Sequence, residues 1–175
     1  MKTLIITIIS LFLNAAAALA TVTGHVNPFV GSSNYGTTNP GALCPNGMMS
    51  VTPFNVMGSE VNRFDKDSRW WSTPYDIRNK YSVGFAHGAL SGVGCPEMGA
   101  IITMATTGAP EADRTKRGST YSNEVATPGY YATTYNQFAI RAEATATKRA
   151  SVERYTFTEG GEANIVVDLG TALSN

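Results

Sequence analysis

Phe138 to Thr147 reads FAIRAEATAT. Ile140, Ala142, Ala144 and Ala146 fall on one side of an extended chain, and Arg141, Glu143, Thr145 and Thr147 fall on the other. Successive side chains of a strand point to opposite faces, so this is the period-two signature of a half-buried β-strand. The flanks read the same way. Gly129 to Tyr135 (GYYATTY) is aromatic and β-branched, and Asn136-Gln137 offers a turn between the two runs. Downstream, Val152 to Thr158 is a further strand, Glu159 to Glu162 (EGGE) turns the chain, and Ala163 to Leu169 (ANIVVDL) is another. Successive strands joined by short turns pair antiparallel, so the sequence predicts an all-β fold, an antiparallel β-sandwich. No stretch carries a sustained helical period and there is no internal repeat. Glu111 to Arg117 (EADRTKR) is expected to be a solvated turn or a single helical turn.

The chain of 175 residues carries 13 basic and 13 acidic side chains and is 43% hydrophobic. That composition excludes a disordered chain, fits one domain, and lacks the basic face a nucleic-acid partner requires. Met1 to Ala20 reads as a secretory signal: Lys2 is the positive start, Leu4 to Leu13 the apolar core, and Ala18-Leu19-Ala20 the cleavage site. The apolar core is too short to span a bilayer. The expected product is a secreted or periplasmic domain over residues 21–175, with no membrane partner after cleavage. An oxidising compartment permits a disulfide between Cys44 and Cys95, which closes a loop whose constraint contributes about 4 kcal/mol. Two separate buried thiols satisfy the spacing as well.

Candidate binding residues gather in loops. Tyr81 to Ala105 (YSVGFAHGALSGVGCPEMGAIITMA) runs apolar, breaks into a loop with Gly88, Gly92, Gly94 and Gly99, and turns apolar again. Glycine lets a ligand or another segment approach the backbone closely, and His87, Ser91 and Cys95 lie in or beside this loop. A tight β-connection with a buried His and Cys accounts for the same residues. Val26 to Asn55 is a series of turns (NPFVG, NPGALCPNG, TPFN) with a short strand expected at Met48 to Val51. Asn55 to Asn79 is a long excursion carrying Trp70-Trp71, either a stacking platform for a sugar or one buried ring and one at a domain contact.

Other motifs fail on inspection. Gly92-Val93-Gly94 with Gly99 misplaces the third glycine of a dinucleotide fingerprint. Asp65-Lys66-Asp67 opens like a calcium loop, but Trp70 and Asp76 stand where Gly and Glu are needed. Ser91 lies in no nucleophile-elbow frame, and the scattered carboxylates form no evident acid–base pair.

Read in order, the motifs resemble the N-terminal domain of the family 92 glycoside hydrolases, secreted calcium-dependent α-mannosidases. Val26 to Gly31 (VNPFVG), Pro40-Gly41-Ala42 and Pro45 to Met48 match its opening segment. Gly84, Phe85, His87, Leu90, Ser91, Gly92, Gly94 and Cys95 match its GFSH…LSGTGC segment. Glu124 to Tyr131 (EVATPGYY), Ala142 to Arg149 (AEATATKR), Arg154 to Phe157 (RYTF) and Asn164 to Leu169 (NIVVDL) match later ones. The departures are local: Asn34 to Thr37 and Asn123 replace common histidines, and Glu153 stands where His is usual.

The resemblance implies a large β-sandwich resembling galactose mutarotase, packed on an (α/α)6 barrel. It implies an inverting exo-α-mannosidase whose acid, base and calcium ligands belong mostly to that barrel, so no catalytic residue and no metal ligand is expected in this chain. The chain stops at Asn175 straight after a strand, which reads as a truncation before the barrel. Mannose-containing glycans and the missing barrel are the expected partners. Gly31, Asn34, Trp70, Trp71, His87, Ser91, Gly92, Gly94 and Cys95 are the expected sugar-contacting wall. A freestanding carbohydrate-binding module and a purely structural β-domain are the alternatives.

Overall fold

The computed structural model describes residues 22–33, 36–56, 73–92 and 99–170. Among the described residues, ten strands form two antiparallel sheets. In the first sheet, β1 (Ala42–Leu43), β2 (Ser50–Pro53), β4 (Phe85–His87), β5 (Ala100–Thr107) and β10 (Ala163–Asp168) lie side by side in that order. In the second, the order is β3 (Tyr81–Ser82), β6 (Ser119–Thr127), β7 (Tyr130–Tyr135), β8 (Ile140–Ala146) and β9 (Ser151–Phe157). The only α-helix among the described residues is one turn, α1 (Arg114–Arg117), which Asp113 caps by accepting a hydrogen bond from the amide of Thr115. None of the described helices is long and apolar enough to cross a membrane.

The alternation that predicts the sandwich is the one that builds it. Ile140, Ala142 and Ala144 of β8 are buried, whereas Arg141 and Glu143 are only partly covered and Thr145 is exposed. The buried face joins Tyr121, Tyr131 and Tyr135 of the second sheet to Ala42, Val51, Phe85, Met104 and Ala105 of the first. Phe85 centres this core, edge-on to Tyr131 with centroids 5.8 Å apart and stacked on Tyr155 at 6.2 Å. Each such ring pair adds about 1 kcal/mol beyond area burial. A second cluster, Phe54, Val56, Tyr81, Val83, Ala86 and Ile102, is also buried. Gly84 makes this packing possible: its φ is +126°, and a Cβ there would strike the carbonyl of Thr103 on β5.

The structure shifts some expectations. The short strand forecast at Met48 to Val51 is Ser50–Pro53 instead, because Met48 is 77% exposed and its amide donates to the carbonyl of Lys148 in the turn after β8. Ser119–Thr127 forms β6, which alternation did not announce. Its pairing with β7 shifts between Ser122 and Val125, around Asn123 at φ +52°, and such a bulge breaks the period of two. The EADRTKR stretch makes the single helical turn, but its Arg117 is not solvated. That side chain is 3% exposed, donating through Nη1 to the carbonyl of Ala112 (2.6 Å) and through Nη2 to Asp168 Oδ2 on β10 (2.5 Å).

Candidate functional site

The VNPFVG segment folds because of its polar residues. Asn27 Oδ1 accepts from the amide of Phe29 at 3.0 Å, and the Ser32 hydroxyl donates to the carbonyl of Phe29 at 2.6 Å. The chain then doubles back: the amide of Thr38 donates to the carbonyl of Gly31 at 3.3 Å and its hydroxyl to the carbonyl of Val30 at 2.8 Å. Gly36 lies so close to Gly31 that any side chain would collide with the Gly31 carbonyl. Gly36 is required by close approach rather than by torsion.

The second loop is anchored to β2. Gly88 donates its amide to the carbonyl of Ser50 at 3.0 Å, and the buried Ser50 hydroxyl donates to the carbonyl of Ala89 at 2.7 Å. The two loops then meet. The amide of Gly92 donates to the carbonyl of Thr37 at 2.8 Å, and the Asn39 amide group reaches the carbonyl of Leu90 at 3.4 Å. Asn39 is itself held by Thr52, whose buried hydroxyl donates to Asn39 Oδ1 at 3.0 Å. Gly31, Leu90, Ser91 and Gly92 are left exposed along this junction. The result is an exposed surface in which Gly31, Ser91 and Gly92 lie beside Leu90, fixed to the first sheet.

His87 faces elsewhere. Its Nδ1 lies 2.5 Å from the carbonyl of Ile101, and its Nε2 lies 2.6 Å from Oε1 of Glu153 on β9. The β4–β5 register shifts between Phe85 and His87, and Ile101 sits at φ +53°, rare for a β-branched residue. That bulge turns the Ile101 carbonyl toward the imidazole. Glu153 Oε2 accepts from the hydroxyls of Thr103 (2.8 Å) and Tyr155 (2.7 Å), while Oε1 meets the imidazole off the line of its N–H, as an ion pair. Burial alone would lower the His87 pKa, but Glu153 and the Ile101 carbonyl together raise it. Burial pushes Glu153 the other way, and its contacts with His87, Tyr155 and Thr103 outweigh it and lower its pKa. With acceptor oxygens near both ring nitrogens, the surroundings favour the protonated form of His87, which spans from one sheet to the other.

A polar network underlies the first loop. Buried Asn55 donates through Nδ2 to Tyr121 Oη (2.8 Å) and the Asp76 carbonyl (2.9 Å), and its Oδ1 accepts from the Asp76 amide (2.8 Å). Nearby, Tyr75 and Tyr131 both donate to Glu124 Oε1, each at 2.7 Å, and Phe29 packs beside Tyr75 with centroids 6.5 Å apart. Burial first raises the pKa of both phenols, followed by the Glu124 charge at Tyr131 and by Tyr121 and then Glu124 at Tyr75, so both stay protonated as donors. Sequence reasoning passed over Glu124 and Glu153 as site residues. Glu153 was visible as a residue standing where His is usual, on the strand face that also carries Tyr155 and Phe157.

Of the expected wall, the structure brings Gly31, Ser91 and Gly92 to one surface and puts His87 in the inter-sheet brace. Asn34, Trp70, Trp71, Gly94 and Cys95 lie outside the described residues, so the Cys44–Cys95 pairing does too. The secretory segment, residues 1–20, also lies outside them. Among the described residues no group of three or more His, Cys, Asp or Glu side chains converges to hold a metal ion, and these residues do not fit a calcium site.

The model of the Glycosyl hydrolase family 92 N-terminal domain matches residues 25–175. No curated protein matches the chain. Among solved structures, the chain is similar to the family GH92 alpha-mannosidase BT3965 from Bacteroides thetaiotaomicron, with 29% identity, a TM-score of 0.75, 87% of this chain covered and 20% of that one. The gh92 family glycosyl hydrolase ccman5 gives 29% identity, a TM-score of 0.68, 86% of this chain and 20% of that one. The GH92 inverting mannosidase BT2199 from Bacteroides thetaiotaomicron VPI-5482, at 22% identity and TM-score 0.62, covers 81% of this chain and 19% of that one and shares the fold. The chain therefore spans about one-fifth of the length of these solved relatives.

Proposed function

Because the chain belongs to glycosyl hydrolase family 92, whose N-terminal domain model it matches over residues 25–175, we propose that it forms one wall of the sugar pocket of a secreted α-mannosidase. The observation that carries this reading is the hydrogen bond from Gly92 to Thr37, which joins the two glycine-rich loops into one exposed surface. Gly31, Ser91 and Gly92 are exposed and small enough for a ring to approach the backbone, with the exposed side chains of Val30 and Leu90 flanking them. Asn34, Trp70, Trp71, Gly94 and Cys95 belong to the same wall on the sequence reading, with the tryptophans as stacking surfaces. His87 supports the loop from behind, through the brace to Glu153.

In this reading the domain binds and orients terminal mannose, while the acid and base of an inverting hydrolysis, about 6.5–9.5 Å apart, stand on a further catalytic module. Calcium, where it acts, is held by ligands outside this chain and supplies Lewis-acid orientation of sugar and water. The substrate is a mannose-terminated glycan, and the compartment is extracellular or periplasmic.

Ser91→Trp tests the wall directly, because Ser91 is exposed and its replacement leaves the core untouched. In a longer protein that carries this domain with a catalytic module, the substitution is expected to lower kcat/KM for an α-mannoside about tenfold or more, without changing Tm. Unchanged kcat/KM would contradict the assignment of this loop to the pocket.

A further inference from the structure

The outward face of the second sheet carries a hollow of about 220 Å³ across β7, β8 and β9, lined by Tyr130, Glu143, Ala144, Thr145, Val152 and Arg154. Strand register arranges its walls in two rows. Tyr130 stands opposite Thr145, which stands opposite Val152, and in the next row Glu143 stands opposite Arg154. The first row is aromatic and aliphatic, and Val152 is 66% exposed although β-branched and apolar. In the second row Arg154 grips Glu143 as a fork, Nε to Oε2 at 2.6 Å and Nη2 to Oε1 at 2.8 Å. Tyr130 donates its hydroxyl to Glu143 Oε1 at 2.7 Å, which fixes its ring at the rim. The Arg154 contacts and then the Tyr130 hydroxyl bring the Glu143 pKa down to about 2, so the fork stays charged on both sides across the neutral range.

This arrangement selects for a particular chemistry. The fork is neutral overall: Glu143 repels an anionic ligand and Arg154 a cationic one. Both Glu143 oxygens already accept and that side chain is only 14% exposed, so the edge left open is the rest of the guanidinium, whose remaining N–H groups two adjacent hydroxyl groups can complete by accepting. Next to it, the Tyr130 ring and Val152 offer an apolar patch on which the C–H face of a sugar ring can lie. The hollow is small for a ligand pocket and has room for one ring rather than an extended chain. We propose that it is a binding site for a single neutral pyranose, on the outward face of the second sheet, apart from the Gly31 and Gly92 loops of the first. The proposal does not depend on the pocket-wall reading, since it uses none of the same residues.

The test is a backbone amide map of the chain, titrated with methyl α-D-mannopyranoside. The expected result is saturable shifts at Tyr130, Thr145 and Val152 and at the Arg154 Nε–H, with a Kd of about 1 mM, as for a small open site. Arg154→Lys keeps the charge but loses the fork, and is expected to weaken this binding about tenfold. Tyr130→Ala is expected to abolish it. Arg154 is largely exposed, so its replacement leaves the core intact. No shift at these residues at the highest soluble sugar concentration would overturn the proposal, as would equal affinity in Arg154→Lys. Shifts confined to the Gly31 and Gly92 loops would overturn it too, while supporting the separate wall reading.

Discussion

The inter-sheet pair of His87 and Glu153 makes a signed prediction about pH. A histidine whose pKa is raised by folding contributes stability that is complete below its unfolded value of 6.5 and fades as pH climbs through the raised one. A carboxylate whose pKa is lowered contributes stability that is complete above its unfolded value of 4.5 and fades as pH falls through the lowered one. Both contributions are therefore complete together between pH 4.5 and 6.5. Glu153→Gln is expected to lower the unfolding free energy by about 2–3 kcal/mol in that window, with the gap to the unsubstituted chain narrowing on either side. Urea titrations of both proteins across pH would reveal a constant gap if the pair were not charged. Asn123 makes a second prediction at this scale. At φ +52° it occupies a conformation that glycine adopts freely and valine resists, so Asn123→Gly is expected to be near neutral and Asn123→Val to cost about 1–2 kcal/mol, measured by Tm.

At the scale of elements, two contacts decide how the pieces hold together. Phe85 belongs to a three-residue strand but reaches Tyr131, Tyr135 and Tyr155 across the sandwich, so Phe85→Ala is expected to destabilise the domain by about 3–5 kcal/mol. Arg117 ties the one-turn helix to β10 through Asp168. Removing a buried partner leaves a buried charge, so Arg117→Ala is expected to cost about 3 kcal/mol and to loosen β10 first, visible as faster amide exchange at Val166 and Val167. These elements differ in how far the sequence announces them. β8 was legible because its alternating small residues pack on one neighbouring sheet, and β7, β9 and β10 followed to within a residue or two. β6 was not, because its bulge at Asn123 interrupts the alternation and most of its outward residues are small and polar. The Gly31 and Gly92 loops were legible as glycine-rich punctuation, and their meeting was not, since a bond between residues 37 and 92 leaves no local trace. The role of His87 was hidden for the same reason: its partner lies 66 residues later on another sheet.

For the whole molecule, the two sheets end at β9 and β10, and among the described residues nothing pairs with the outer edge of either strand. Ile165 and Val167 of β10 are 51% and 55% exposed although Ala105 and Thr103, which they oppose in register, face the sandwich interior. Such an exposed apolar stretch on an unpaired edge strand invites further strands. The solved relatives are more than four times as long as this chain. On the proposed function, this domain shapes a sugar pocket whose chemistry is done by another module. The most direct test measures hydrolysis of an α-mannoside, with and without calcium, by this chain alone and by the chain joined to the catalytic module of a family 92 mannosidase. The account predicts no turnover by the chain alone, and calcium-dependent turnover by the joined protein that Ser91→Trp depresses. Turnover by the chain alone would contradict it and would place an acid and a base among the carboxylates of this domain.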